Sequence, residues 1–460
     1  MLPLLLLTSE ACALPDTVSQ SLKEAGIPLE NVAIEVRRVD GQKSLLSLNA
    51  DRPMNPASTM KLLTTFAGLD LLGPAYTWKS EAYLDGELKD GVLYGNLVLK
   101  GYGDPKLTIE QFWLWLSELR ARGLREIRGN LLLDRSFFEI APANPGAFDN
   151  DPMRAYNVPP DALLLNFNTL HLRYVPEKKG LKIVSIPSQD TVKLENRLTL
   201  DAARLNCDHW DDNIQVQMED DIVIFQGKYP VVCGEREQHL SLLPHLRNVD
   251  ILFRSLWLEL GGILKGKLYE GTASSNAMLF SSHYSEPLST MIRDINKYSN
   301  NVMARQLFLT LGTTSAPDNP LPATIGRSKK VLQDWLKKQQ LDLPELVLEN
   351  GAGLSRNERI SAAHLAQLLQ KAAVHVYSAE FMASLPILGV DGSVKKRLKQ
   401  STATAQAHLK TGTLEGVKTL AGYVRAQEGK QWILVFLINH PNAKYGQAAQ
   451  DAMIEWLHGQ

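Results

Sequence analysis

Apolar residues along the chain change their spacing several times, and each change predicts a different kind of element. A capped helix is expected over 16–25. Apolar–polar alternation follows over 32–39, then an Asp40-Gly41 turn and a second extended run over 44–48, the pattern of a hairpin. Pro56-Ala57-Ser58 leads into Leu62, Leu63, Phe66, Leu69 and Leu72, a helical spacing that sets Ser58 in the first turn of a buried helix. Beyond residue 79 short strands are expected at 82–88, 92–99 and 129–134, with a helix over 108–122 between them. Residues 168–240 alternate with many charges and predict a small β module, and 246–264 is amphipathic again. The last third is regular, with helices over 327–340 and 362–373, a hairpin of 418–424 and 432–438 turning at Glu428-Gly429, and a closing helix over 446–457.

Helix–strand elements at both ends with β-rich material between them predict an α/β domain interrupted by an insertion. The 460 residues exceed what one core ordinarily holds. The expected organisation is a discontinuous domain of 14–78 and 272–460, an inserted α/β domain of 79–167 and 241–271, and a β-rich domain of 168–240 nested within it.

Composition narrows the class. Apolar residues make up 44% and charged residues 22%, values of a soluble globular protein. A net charge of −1 gives no electrostatic case for nucleic acid, and at most a weak association with a membrane. Residues 1–13 combine a short leucine run with Ala11-Cys12-Ala13, a small-x-small cleavage pattern, and are read as an export leader. A positive start is missing and Glu10 is unwelcome in such a leader, which points to a truncated or misassigned start; an ordinary apolar N-terminus is the alternative, and a lipid anchor on Cys12 fits its surroundings poorly. An exported chain is left with Cys207 and Cys233, which as an even pair predict a disulfide; two buried free thiols are the alternative.

The chemistry lies in three short motifs. Ser58-Thr59-Met60-Lys61 puts an amine one turn beyond a hydroxyl on the same helix face, where a neutral lysine could take the serine proton. Alone it is weak, since Ser393-Val394-Lys395-Lys396 also matches and reads as a solvated basic turn. Ser299-Asn300-Asn301 is weaker still as a pattern but is framed by apolar helices. Lys410-Thr411-Gly412 occurs once, at the start of a strand where glycine permits close approach of a ligand backbone. Ten scattered histidines show no His-Glu-x-x-His spacing, and neither metal nor cofactor is expected.

Serine-x-x-lysine, serine-x-asparagine and lysine-threonine-glycine in this order form the signature of penicillin-interacting serine acyl-enzymes. With Lys100-Gly101-Tyr102-Gly103-Asp104-Pro105, Asn166-Phe167-Asn168-Thr169-Leu170, Asn350-Gly351-Ala352-Gly353-Leu354-Ser355-Arg356 and Leu385 through Gly392, the chain resembles the low-molecular-mass class C penicillin-binding proteins of peptidase family S13. The resemblance implies a penicillin-binding, β-lactamase-like transpeptidase domain, an antiparallel sheet flanked by helices. It also implies a periplasmic D-Ala-D-Ala carboxypeptidase or endopeptidase acting on peptidoglycan stem peptides and acylated by β-lactam antibiotics. Ser58 would be the nucleophile, Lys61 its base, Ser299 a proton shuttle and Asn301 a holder of the acyl-side amide. Lys410 and Thr411 would bind the terminal carboxylate, Gly412 would allow the approach, and the N–H groups of Ser58 and Thr413 would form an oxyanion hole. Asp151 and Arg356 match positions that contact the stem-peptide side chain; a loop cap and a structural ion pair are their alternatives. A β-lactamase or esterase relative and a non-catalytic cell-wall scaffold are the rival functions.

Overall fold

The computed structural model describes residues 13–178, 180–186, 192–219, 222–314 and 321–460. The expected leader over 1–13 lies, except for Ala13, outside the described residues. The chain divides into two compact units. One ends its first segment at Trp78 and adds Phe138–Ile140 and Glu286–Gln460; the other comprises Lys79–Phe137 and Ala141–Ser285.

The first unit is built on a five-stranded antiparallel sheet. Its strand order is Ala407–Leu414, Val417–Arg425, Gln431–Asn439, Val32–Arg38 and Ser44–Leu48. Strand Val32–Arg38 is buried from Val32 through Val36 rather than at alternate positions, because this strand is covered on both faces. Val32, Ile34 and Val36 pack with Leu434, Phe436 and Ile438 under helices Asp16–Glu24 and Gln447–His458, which contribute Val18, Leu22, Met453, Ile454 and Leu457. On the other face, helix Ala362–Ala373 is tied down where Tyr423 Oη donates to the Leu369 carbonyl and Gln370 Nε2 to that of Gly41. The first helix follows Pro15 without a side-chain cap; Asp16 is its first residue, where a carboxylate suits the positive end of the helix dipole.

Helix Lys61–Leu72 is buried at every position from Lys61 to Leu69, as a central helix must be. Helices Leu288–Lys297 and Asn301–Thr313 pack against it, with Asn296 Nδ2 donating to Thr65 Oγ1 and Gly68 admitting the Leu307 side chain.

In the second unit, Lys79–Lys89 and Val92–Gly101 form a long hairpin within a seven-stranded sheet. Helices Ile109–Ala121 and His245–Glu259 cover it through Phe112, Trp115, Phe253 and Trp257. Strand Met278–Tyr284 pairs with Lys79–Lys89 and sets Tyr284 opposite Lys79, so this unit extends to Ser285, past the expected return at 272. Residues 170–240 form two three-stranded sheets with no α-helix among the described residues. Strand Lys193–Asp201 runs parallel to Ile222–Pro230 there. Cys207 and Cys233 are joined in a disulfide, their Cα atoms 5.3 Å apart.

Candidate active site

Ser58 sits on a 3-10 turn, Ala57–Met60, and the α-helix begins only at Lys61. The expected placement in an α-helical first turn gives way because Ala57 takes the left-handed region, at φ 45°. The turn is pinned from several sides. Asn55 Oδ1 accepts from the Ala57 N–H at 2.9 Å, and Asn55 is itself paired with Asn439 through two bonds. The Pro56 carbonyl accepts from the Thr59 and Thr419 hydroxyls at 2.7 and 2.8 Å. Two glycines press on the same peptide. A β-carbon on Gly353 would stand 1.9 Å from Ala57 O, and one on Gly412 would stand 2.9 Å from Ser58 N and 2.2 Å from Thr419 Oγ1.

Lys61 is fully buried. Its Nζ lies 2.8 Å from Ser58 Oγ, 2.6 Å from Asn301 Oδ1 and 2.5 Å from the Ala352 carbonyl. The two carbonyl oxygens can only accept. A neutral amine therefore gives both its N–H bonds to them and turns its lone pair to the Ser58 hydroxyl. Burial pushes the Lys61 amine well below the usual lysine range; the Lys410 and Arg305 cations lower it further, and Glu358 opposes them. Glu358, itself buried, accepts the N–H groups of Glu349 and Asn350 at 2.9 and 3.0 Å. It thus holds the loop whose Gly351 and Ala352 carbonyls receive Thr64 Oγ1 and Lys61 Nζ.

Ser299 occupies the junction of helices Leu288–Lys297 and Asn301–Thr313, also left-handed at φ 57°. Asn300 caps the second helix by accepting from the Met303 N–H at 3.0 Å, which leaves Asn301 free to reach Lys61. Lys410 Nζ donates to Ser299 Oγ at 2.8 Å and to the Thr411 carbonyl at 2.7 Å. Burial brings the Lys410 amine down to about 7. Ala57, next to the first motif, and Ser299, within the second, are both left-handed at this cluster, where backbone strain commonly concentrates. Lys410 through Thr413 lie on an edge strand, and segment Pro386–Leu388 covers that edge as far as Leu409, whose N–H donates to Pro386 O at 2.9 Å.

Ser58, Lys61, Ser299, Asn301 and Lys410 thus meet in one place, two hydroxyl–amine pairs built on four separate elements. The sequence model of the D-Ala-D-Ala carboxypeptidase 3 (S13) family matches residues 14–460. The chain belongs to that family. It is 27% identical over 421 residues to D-alanyl-D-alanine carboxypeptidase DacB of Haemophilus influenzae, covering 89% of this chain and 85% of that protein. It is also 27% identical over 443 residues to the D-alanyl-D-alanine carboxypeptidase of Actinomadura sp. strain R39, covering 89% and 78%. Among solved structures, penicillin binding protein 4 (dacB) from H. influenzae shares the fold, with a TM-score of 0.79 at 22% identity over 95% of this chain and 99% of that one. The expected fold, an α/β transpeptidase domain with inserted β-rich material, is the one these matches carry.

Not every expected residue of this S13 chain joins the cluster. Asp151 belongs to the second unit, where its carboxylate accepts from Arg154 Nε at 2.7 Å, and Arg154 also binds Asp211 at 2.9 Å. Arg356 lies in the first unit, half exposed, with Nη1 donating to the Glu415 carbonyl at 3.0 Å just past the Lys410-Thr411-Gly412-Thr413 strand. Other residues entered the site without a sequence signal. Asn55, Thr419 and Asn439 act through contacts with residues distant along the chain, and Glu358 through its charge on Lys61 and its hold on the nearby Glu349-Asn350 backbone. Ser393, read as part of a solvated basic turn, has its Oγ 2.6 Å from Thr411 Oγ1, although Lys395 and Lys396 are indeed exposed.

Proposed function

We propose that Ser58 attacks the carbonyl between two D-alanines at the end of peptidoglycan stem peptides, forms an ester with the first, and releases the second. Family membership makes the chain a serine-type D-Ala-D-Ala carboxypeptidase, a peptidoglycan hydrolase that β-lactams acylate. The observation that carries the residue assignment is the Lys61 amine. Two acceptor-only oxygens lie where a neutral amine's N–H bonds would point, burial pushes the amine well below the usual lysine range, and the Ser58 hydroxyl stands 2.8 Å away on the side left for the lone pair. Lys61 takes the serine proton as the tetrahedral adduct forms. Ser299, held by Lys410, passes a proton to the leaving amine, and Asn301 orients the acyl-side amide. Lys410 and Thr411 bind the terminal carboxylate. The N–H groups of Ser58 and Thr413 stabilise the oxyanion, which the close approach of Gly412 to Ser58 N supports. Water then repeats the sequence on the ester.

Asp151 and Arg356 are assigned to the stem-peptide side chain, and the periplasm to the protein's place of work. The Cys207–Cys233 disulfide supports an oxidising compartment. No helix among the described residues is long and apolar enough to cross a membrane. Replacing Ser58 with alanine tests the assignment: labelling by a fluorescent penicillin and release of D-alanine from a D-Ala-D-Ala peptide should both vanish, with the fold retained. Residual covalent labelling would exclude Ser58 as nucleophile. Digestion of purified sacculi, with mass analysis of free D-alanine against lost cross-links, divides carboxypeptidase from endopeptidase action. A label that persists for hours separates either from a β-lactamase, which sheds its acyl group quickly.

A further inference from the structure

The hydroxyl of Ser393 touches the proposed carboxylate site through Thr411 and has so far been given no role. It stands on the 3-10 turn Gly392–Val394, a rigid mount. Asp391, just before it, accepts the Ile387 N–H at 2.8 Å through one oxygen and Lys297 Nζ at 2.5 Å through the other. Lys297 ends the helix that leads into Ser299. Gly392, at φ 59°, packs so tightly that a β-carbon would lie 2.8 Å from the Lys297 carbonyl. On the other side, Leu388 N–H donates to Ala407 O, and Leu409 N–H to Pro386 O, which lays the same segment along the edge strand. The turn therefore spans from the serine motif to the lysine-threonine-glycine strand, and Ser393 Oγ meets Thr411 Oγ1 at 2.6 Å while itself remaining exposed.

We infer that Ser393 is a positioning residue for the substrate's terminal carboxylate, acting by donating its hydroxyl proton to Thr411 Oγ1. This rests on the reading above that Lys410 and Thr411 receive that carboxylate. Each hydroxyl has one proton and can accept as well. With Ser393 as donor, the Thr411 oxygen is occupied, its rotamer is held, and its own proton points to the open side where an anion would lie. The two bonds in series polarise each other and strengthen the one made to the charge. The same motif read as a solvated turn thus becomes part of what distinguishes a substrate with a free C-terminus from one without.

The test compares two peptides that differ only at the end, one terminating in D-Ala-D-Ala and one in D-Ala-D-alaninamide. Removing one such hydrogen bond should lower kcat/KM of S393A on the acid about tenfold, leave kcat/KM on the amide within about twofold of wild type, and return on the acid in S393T. Equal losses on both peptides, or none on either, would overturn the inference while wild-type turnover left the proposed function standing. A wild-type protein that releases no D-alanine from the acid would remove the functional reading and, with it, the role of Ser393. Circular dichroism of S393A checks that an exposed hydroxyl, not the fold, has been lost.

Discussion

Replacing Gly353 with alanine should disable Ser58 without removing any group assigned to the chemistry. Gly353 sits at φ 78°, and its missing β-carbon would fall 1.9 Å from Ala57 O, 2.4 Å from Ala57 C and 2.9 Å from Ser58 N, all backbone atoms. Ordinary contact begins at roughly 3.4 Å, so the two backbones must part by about 1.5 Å. The glycine loop cannot simply retreat, because its Gly351 and Ala352 carbonyls hold Thr64 and Lys61 and Glu358 fixes its start. Part of the displacement therefore falls on Ser58, whose hydroxyl is 2.8 Å from the Lys61 amine. A misplacement of about 1 Å at a reacting group costs roughly 100-fold in rate. Acylation of G353A by fluorescent penicillin, followed as a time course, should slow by about that factor or more. Gly73 supplies the control: it is left-handed too, at φ 81°, but has no atom within 4 Å of its would-be β-carbon. G73A carries a backbone penalty of its own, about 1–3 kcal/mol, and should acylate at the wild-type rate. A folded G353A protein labelled within threefold of wild type would refute the argument that this glycine sets the position of the nucleophile.

Other expectations follow from the charges around Lys61 and from the disulfide. Activity should fall on the acid side as Lys61 gains a proton; K410Q removes a cation that lowers the Lys61 pKa, so the acid limb of acylation should move to higher pH, and an unmoved limb would uncouple the two lysines. E358Q keeps an acceptor for the Glu349 and Asn350 N–H groups but removes an anion that favours protonated Lys61, so its limb should move the opposite way; a shift in the same direction as K410Q would exclude that role. The double variant C207S/C233S should loosen the β module by about 2–4 kcal/mol, seen as faster proteolysis there, while penicillin acylation stays at the wild-type rate. Lost acylation would mean that the module supports the site.

The parts of the site legible in the sequence are those where one short segment holds both the chemistry and its geometry. Ser58 with Lys61 and Ser299 with Asn301 lie within a turn of each other, and Lys410-Thr411-Gly412 is a piece of strand. What escaped is long-range or conformational. The left-handed Ala57 converts an expected helical turn to a 3-10 turn, and nothing in Pro56-Ala57-Ser58 announces that; it depends on Asn55, Gly353 and Thr419 closing from elsewhere. Ser393 was obscured by Lys395 and Lys396, whose exposure fits a basic turn, while its own partner Thr411 is supplied by the sheet edge. In the fold, hairpins and amphipathic helices were readable from period alone, as at Val32–Arg38 with Ser44–Leu48. The parallel pairing of Lys193–Asp201 with Ile222–Pro230 was not, since period cannot reveal a partner or its direction.

The pairing of Lys79 with Tyr284 has a consequence for how the chain is made. All of the second unit is synthesised between Ser58 and Ser299, so in an unfolded chain the first unit would have to close an enormous loop. Once that unit folds, its entry and exit strands lie side by side, and the remainder of the chain meets a short staple in place of a long tether. Loop closure grows only slowly with length in any case, about 0.6 kcal/mol per doubling. What cannot be hastened is order of arrival. The strand bearing Lys410 reaches the N-terminal hairpin only through Val417–Arg425 and Gln431–Asn439, both translated after it. A chain that has not yet reached Gln431–Asn439 therefore cannot join the strand bearing Lys410 to the N-terminal hairpin through the sheet.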